Sequence, residues 1–167
     1  MRILGIDPGY AIVGYGVTDY VNNHFSVVDF GAITTPACMD FNRRLELIYD
    51  EMTVILAQHK PDALSIEKLF YNTNAKTVID VAQARGVILL AAKKMGVPCF
   101  EYTPLQVKQS VVGYGRAEKK QVQEMIKRIL FLEKVPKPDD TADALAMAIC
   151  HGHSSGSIVS GLNLRIR

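Results

Sequence analysis

Ile3-Leu4-Gly5-Ile6-Asp7-Pro8-Gly9 is the stretch whose reading decides the fold. The apolar run is too short for a helix and closes on an acid followed at once by two turn residues. Residues 2–7 therefore read as a fully buried strand. Working outward, residues 12–19 and 24–34 carry Val, Ile, Tyr, Phe and Thr around the turn pair Asn22-Asn23, which predicts a hairpin or meander. Gly9, Gly14 and Gly16 mark a first turn where the backbone bends sharply or is closely approached. From Asp40 to Lys60 the period becomes 3.6, with Phe41, Leu45, Ile48, Met52, Ile55 and Leu56 on one stripe and Asp40 as N-cap. A short buried strand at 62–67, a loop at 68–74 and a long helix reaching Met95 follow. Then come a strand at 97–102 and helices at 104–112, 118–132 and 140–151. The 118–132 helix carries the face Val122, Met125, Ile126, Ile129 and Leu130. The order β-β-β-α-β-α-β-α-α-α predicts an α/β domain, a mixed five-stranded sheet with helices on its faces.

The 167 residues suit one domain with a sizeable core, expected over residues 1–153, with a Ser- and Gly-rich disordered tail over 154–167. Apolar residues make up 49%, enough to suggest apolar surface that meets a partner. No apolar run approaches the roughly 20 residues of a membrane span, so no membrane partner is expected. The N-terminus lacks the pattern of a signal peptide. Cys38, Cys99 and Cys150 are odd in number and widely spaced, which predicts reduced, mostly buried thiols and a cytoplasmic location. Between Lys108 and Arg128 six bases face two acids, whereas residues 1–60 hold four bases against seven acids. A basic segment beside an acidic centre suits a polyanionic substrate.

Four carboxylates carry the chemistry. Asp7 closes the first strand and Glu67 closes Ala63-Leu64-Ser65-Ile66; Asp140 and Asp143 sit three apart before Ala144-Leu145-Ala146-Met147-Ala148-Ile149. Two neighbouring strands crossed by one helix would bring these ends together. Like charges so placed ionise together only around a cation, and hard divalent cations prefer oxygen ligands. A Mg²⁺ site for phosphoryl chemistry is the reading. Asp139 is an open alternative: it is as co-facial with Asp143 as Asp140 is, and either could cap the helix. His151 and His153 lie too far along the helix to share a metal with Asp143, roughly 12 Å for His151 at the helical rise, and are read as satisfying the helix C-terminus.

Leu4-Gly5-Ile6-Asp7-Pro8-Gly9 with Gly14-Tyr15-Gly16-Val17, Ile66-Glu67-Lys68-Leu69-Phe70 with Asn74-Ala75, and Gln83-Ala84-Arg85-Gly86-Val87 all have counterparts in one family. So do Phe100-Glu101-Tyr102, Gln106-Val107-Lys108-Gln109, Val111-Val112-Gly113, Ala117-Glu118-Lys119 and Asp140-Thr141-Ala142-Asp143-Ala144-Leu145-Ala146. In this order and spacing, up to about His153, the chain resembles the RuvC family of bacterial Holliday-junction resolvases. The resemblance implies an RNase H-like fold, a homodimer, and Mg²⁺-dependent paired nicking of four-way DNA junctions in recombination and repair. Two Mg²⁺ per active site are implied, with Mn²⁺ as substitute, and RuvA and RuvB as branch-migration partners. It maps the catalytic and metal-binding acids onto Asp7, Glu67, Asp140 and Asp143, which decides against Asp139. It places Lys108 and Lys119 near the scissile phosphate or DNA backbone, with Arg116 and Lys120 adding backbone contacts. Phe70 matches a residue that stacks on or wedges beside an unpaired base. The helix from about Ala75 to Met95 is apolar around much of its circumference and is the expected dimer surface, with Val81 and Ile88 as positions where a charge would break it.

Two rivals are weighed. A phosphotransferase of the actin and sugar-kinase class shares the Asp-x-Gly turn but needs two domains, more than this length holds; ATP binding would reveal it. A catalytically inactive junction-binding or scaffold protein on the same fold would be expected to lack one or more of the four acids, and none is missing.

Overall fold

The structure, a computed structural model, describes residues 1–69 and 77–155. Strands β1 (Arg2–Asp7), β2 (Ile12–Val21) and β3 (His24–Thr34) form an antiparallel meander. Helix α1 (Phe41–His59) leads to β4 (Ala63–Glu67), α2 (Val78–Lys94) to β5 (Cys99–Tyr102), and α3 (Pro104–Val112), α4 (Lys119–Ile129) and α5 (Asp139–Ser155) complete the chain. The sheet order is β3-β2-β1-β4-β5, with β4 and β5 parallel to β1. This is the expected mixed five-stranded α/β architecture.

Local chemistry explains the element ends. Asn22 and Asn23 both adopt positive φ, 51° and 64°, which lets the β2–β3 turn follow the strand twist. The Asp40 carboxylate accepts from the Asn42 amide at 3.0 Å, capping α1 as expected. Thr103 and Gln106 form a reciprocal capping box at the start of α3, with Pro104 beside it and Gly113 at φ 91° past the end.

Strand alternation divides the core. Leu4 and Ile6 of β1, Val13 and Val17 of β2, and Leu64 and Ile66 of β4 pack against α1 and α2. Ile3 turns to the other face, where Leu145 and Ile149 of α5 meet residues of α3 and α4. Gly5, Asp7, Ser65 and Glu67 share that second parity. Helix α5 lies directly on them. A Cβ at Gly5 would run into the Ala144 carbonyl, and one at Gly14 into the Asp140 carbonyl. Ser65 Oγ donates to the Met147 carbonyl at 2.8 Å, tying β4 to the same helix.

Several expectations are corrected. Helix α4 ends at Ile129, not 132. Leu132 N donates to Lys127 O at 2.9 Å and Phe131 N to Arg128 O at 3.3 Å, a Schellman closure with Phe131 at φ 52° where glycine is usual. Helix α5 runs to Ser155, past the expected end at 151 and into the stretch read as tail from Ser154. Phe25 and Tyr20 pack on Gly152, and Ser154 Oγ donates to the Cys150 carbonyl, so this Gly- and Ser-containing run stays helical. His151 and His153 are therefore helix residues and do not cap. His151 Nδ1 shares a hydrogen bond of 2.8 Å with the buried Tyr102 hydroxyl, and His153 meets Ser110 of α3. Among the cysteines Cys150 is buried, but Cys38 is exposed. Ile88 is fully buried against the sheet, so it cannot serve as a dimer contact. Before its last turn, the exposed residues of α2 are Ile79, Ala82, Gln83, Gly86 and Leu90. The remainder of the expected tail, 156–167, lies outside the described residues.

Candidate active site

β1 and β4 are parallel neighbours, with Ile6 paired to Ile66, so Asp7 and Glu67 emerge side by side at their C-terminal ends. Asp7 is also the register partner of Gly14 on β2. Because the Asp140 backbone rests on Gly14, the first turn of α5 crosses directly above Asp7. Asp143, three residues on, shares the face of Asp140. The four acids predicted from strand and helix ends are thus brought to one place by two parallel strands and one helix.

Their electrostatics show the proximity. Burial, then the charges of Asp143, Glu67 and Asp140, pushes the Asp7 carboxyl up to about 7, with Lys119 opposing. Burial and then Asp143 raise Glu67. Burial raises Asp143 as well, and the hydrogen bond and charge of Lys119 partly offset it. Four mutually repelling carboxylates with no more than a lysine among them are a donor set suited to hard divalent cations. As they stand, no three of the His, Cys, Asp or Glu side chains among the described residues already form a metal cage. The oxygen-only donor chemistry fits a divalent ion.

The bases lie alongside. Glu67, Lys108, Lys119 and Asp143 line one open cleft of about 290 Å³, walled by apolar side chains of α3, α4 and α5. Lys119 Nζ donates to Asp143 Oδ2 at 2.9 Å and stands 3.6 Å from Asp139 Oδ2. Burial pulls the Lys119 ammonium down, but the hydrogen bond and charge of Asp143, with Asp139 adding, outweigh it and hold it above the ordinary lysine value. Arg116 and Lys120 are exposed on the approach to and the first turn of α4. Phe70 lies outside the described residues.

Sequence reading passed over one feature. Arg85 of α2 donates from Nε to the Glu67 carbonyl at 3.3 Å and pairs through Nη2 with Glu101 of β5, bracing the strand end that carries Glu67. A lone arginine in the apolar helix and a lone acid in a four-residue strand were the available signal. Asp139, the alternative that spacing left open, faces Lys119 and Lys137.

The chain is 62% identical over 154 residues to the crossover junction endodeoxyribonuclease RuvC of Ruminiclostridium cellulolyticum, covering 92% of this chain and 93% of that one. It is 60% identical over 155 residues to the RuvC of Clostridioides difficile, covering 93% and 92%. Its fold is similar to the Thermus thermophilus RuvC structure, with TM-score 0.87 and 32% identity over 93% of this chain and 95% of that one. It is similar too to the T. thermophilus RuvC in complex with Holliday junction substrate, at TM-score 0.85 and 29% identity over the same shares. The family model for crossover junction endodeoxyribonuclease RuvC matches residues 3–151, the span that holds the sheet and all four acids, and the chain belongs to the RuvC family.

Proposed function

We propose that this chain is a structure-selective endonuclease that resolves four-way DNA junctions by paired, symmetric nicks. The observation that carries the reading is that Asp7, Glu67, Asp140 and Asp143 share one electrostatic cluster, two of whose members, Glu67 and Asp143, line an open cleft with Lys108 and Lys119. Membership of the RuvC family and likeness to a junction-bound relative support the substrate. The nuclease unit is the α/β domain from β1 to α5.

Asp7, delivered by the central strand, would bridge two divalent ions; Glu67 and Asp143 would each hold one, and Asp140 would complete the shell or orient water. Mg²⁺ held there, with Mn²⁺ as substitute, supplies activation of the attacking water and stabilisation of the leaving alkoxide. Lys108 and Lys119 act as mobile point charges on the phosphate. Arg116 and Lys120 extend the basic approach along the DNA backbone, and Phe70 is assigned to base stacking. Lys119 also links α4 to the cluster, so DNA contact and chemistry meet at one residue.

A junction offers two equivalent strands, which a C₂ dimer matches. Ile79, Ala82, Gly86 and Leu90 follow one exposed stripe of α2, with Ile79 66% and Leu90 53% exposed. Small residues between large ones let a second copy of the helix approach closely. RuvA and RuvB are partners by family kinship, and the cytoplasm is the corresponding compartment.

A labelled synthetic four-way junction tests the reading. With Mg²⁺ present the protein should release nicked duplexes cut at symmetric positions, and with chelator present none. Equal cutting of a linear duplex of the same sequence would refute junction selectivity.

A further inference from the structure

Asp139 and Asp143 lie four apart on α5 and so stack on one face, a turn from each other. Lys119, the first residue of α4, reaches across to both, hydrogen-bonded to Asp143 at 2.9 Å and 3.6 Å from Asp139. The other Asp139 oxygen, Oδ1, is held by Lys137 at 2.6 Å. The ammonium therefore touches one acid inside the carboxylate cluster and one acid just outside it. Lys108 lines the same cleft and makes no ion pair among the described residues.

We propose that Lys119 competes with the divalent cation for Asp143, and that Asp139 is the positioning residue onto which its ammonium withdraws when the cation binds. The proposal rests on the metal-site reading above. An oxygen that accepts from an ammonium at contact distance gives up donor strength to a metal, and the ammonium repels the incoming ion. Lysine carries its charge on a flexible stem, so a change of side-chain rotamer suffices to move from one acid to the next. Asp139, fixed by Lys137, keeps the released charge at the cleft edge, where a phosphate would arrive. The arrangement would favour metal loading when DNA phosphate draws Lys119 away, and so couple loading to substrate.

Calorimetric titration of the DNA-free full chain with Mn²⁺ tests this without reference to cleavage. Lys119 is 54% exposed in its side chain, so its replacement leaves the fold intact. Lys119→Met should tighten Mn²⁺ binding roughly fivefold, the upper range for a partly exposed ion pair. Lys108→Met, which changes the same net charge without breaking a pair, should tighten it by no more than about twofold. Asp139→Asn should weaken binding about threefold in the wild-type background and by less than about 1.5-fold in the Lys119→Met background, the coupling expected if Asp139 acts through Lys119. Equal effects of Lys119→Met and Lys108→Met would overturn the competition. An Asp139→Asn effect that persists in the double variant would overturn its positioning role and leave it a contributor to the field only. Asp7→Asn in the same titration should abolish tight binding; wild-type affinity there would refute the metal site itself, a failure distinct from the other two.

Discussion

Burial and three neighbouring carboxylates hold a proton on Asp7 more tightly in the folded chain than in the unfolded one, from an ordinary value of 3.8 up to about 7. In the absence of metal this acid therefore stabilises the fold most when protonated. Its contribution is full below about pH 4, is lost as pH rises toward 7, and is flat above. Asp7→Asn should then stabilise the metal-free protein at pH 8, by up to roughly 4 kcal/mol, and by only about 1 kcal/mol at pH 4.5. Urea melts in chelator at both values check this; equal stability of the two proteins at pH 8 would contradict it. Glu67 and Asp143 are raised in the same direction, so the wild type should also gain stability on acidification through this range. At this scale the acids were legible because a carboxylate at the end of a buried strand needs a reason. The choice between Asp139 and Asp140 was not legible from spacing. The structure separates them by contact: the backbone of Asp140 rests on Gly14, while Asp139 faces Lys119 and Lys137.

Among the elements, α5 decides the geometry, because its bare approach to the sheet sets the height of Asp140 and Asp143 above Asp7. Gly14→Ala would place a methyl group against the Asp140 carbonyl. The helix end should lift, with a stability loss of about 1–3 kcal/mol. Cleavage should fall by more than the loss of folded protein explains, which a comparison of melting temperature with rate per folded molecule measures. Helix α4 offers the opposite kind of change. Phe131 is 86% exposed yet holds a left-handed conformation that ordinarily favours glycine. Phe131→Gly should stabilise by about 1 kcal/mol, raising the melting temperature by about 2–4 °C. The same residue explains why α4 was expected to be longer: periodicity through Leu130 and Leu132 continues, and no glycine marks the stop. Gly152 misled in the other direction. It signals a helix end in sequence, but it is there because the Phe25 ring lies against the helix. The local capping signal of Asp40 was readable because its partner, the Asn42 amide, sits two residues away.

In the molecule as a whole, the mixed sheet with helices on its faces followed from the alternation of strands and helices, whereas the strand order, the division into two cores and the outward-facing side of α2 did not. Apolar residues around α2 were visible, but sequence could not say that Ile88 faces the sheet while Ile79 and Leu90 face outward. Ile79→Glu should leave folding intact and shift the protein toward monomer in sedimentation at micromolar concentration, with paired nicking lost. A monomeric variant that still makes paired nicks would contradict the dimer. On the proposed function, junction binding would rest on positive charge spread over Lys108, Arg116, Lys119 and Lys120 and chemistry on a single carboxylate cluster, so the two should be separable. The most direct test is Asp7→Asn, assayed in parallel for four-way junction binding and for Mg²⁺-dependent cleavage. The predicted result is near-normal binding with cleavage abolished, and near-normal cleavage would contradict the assignment of the site.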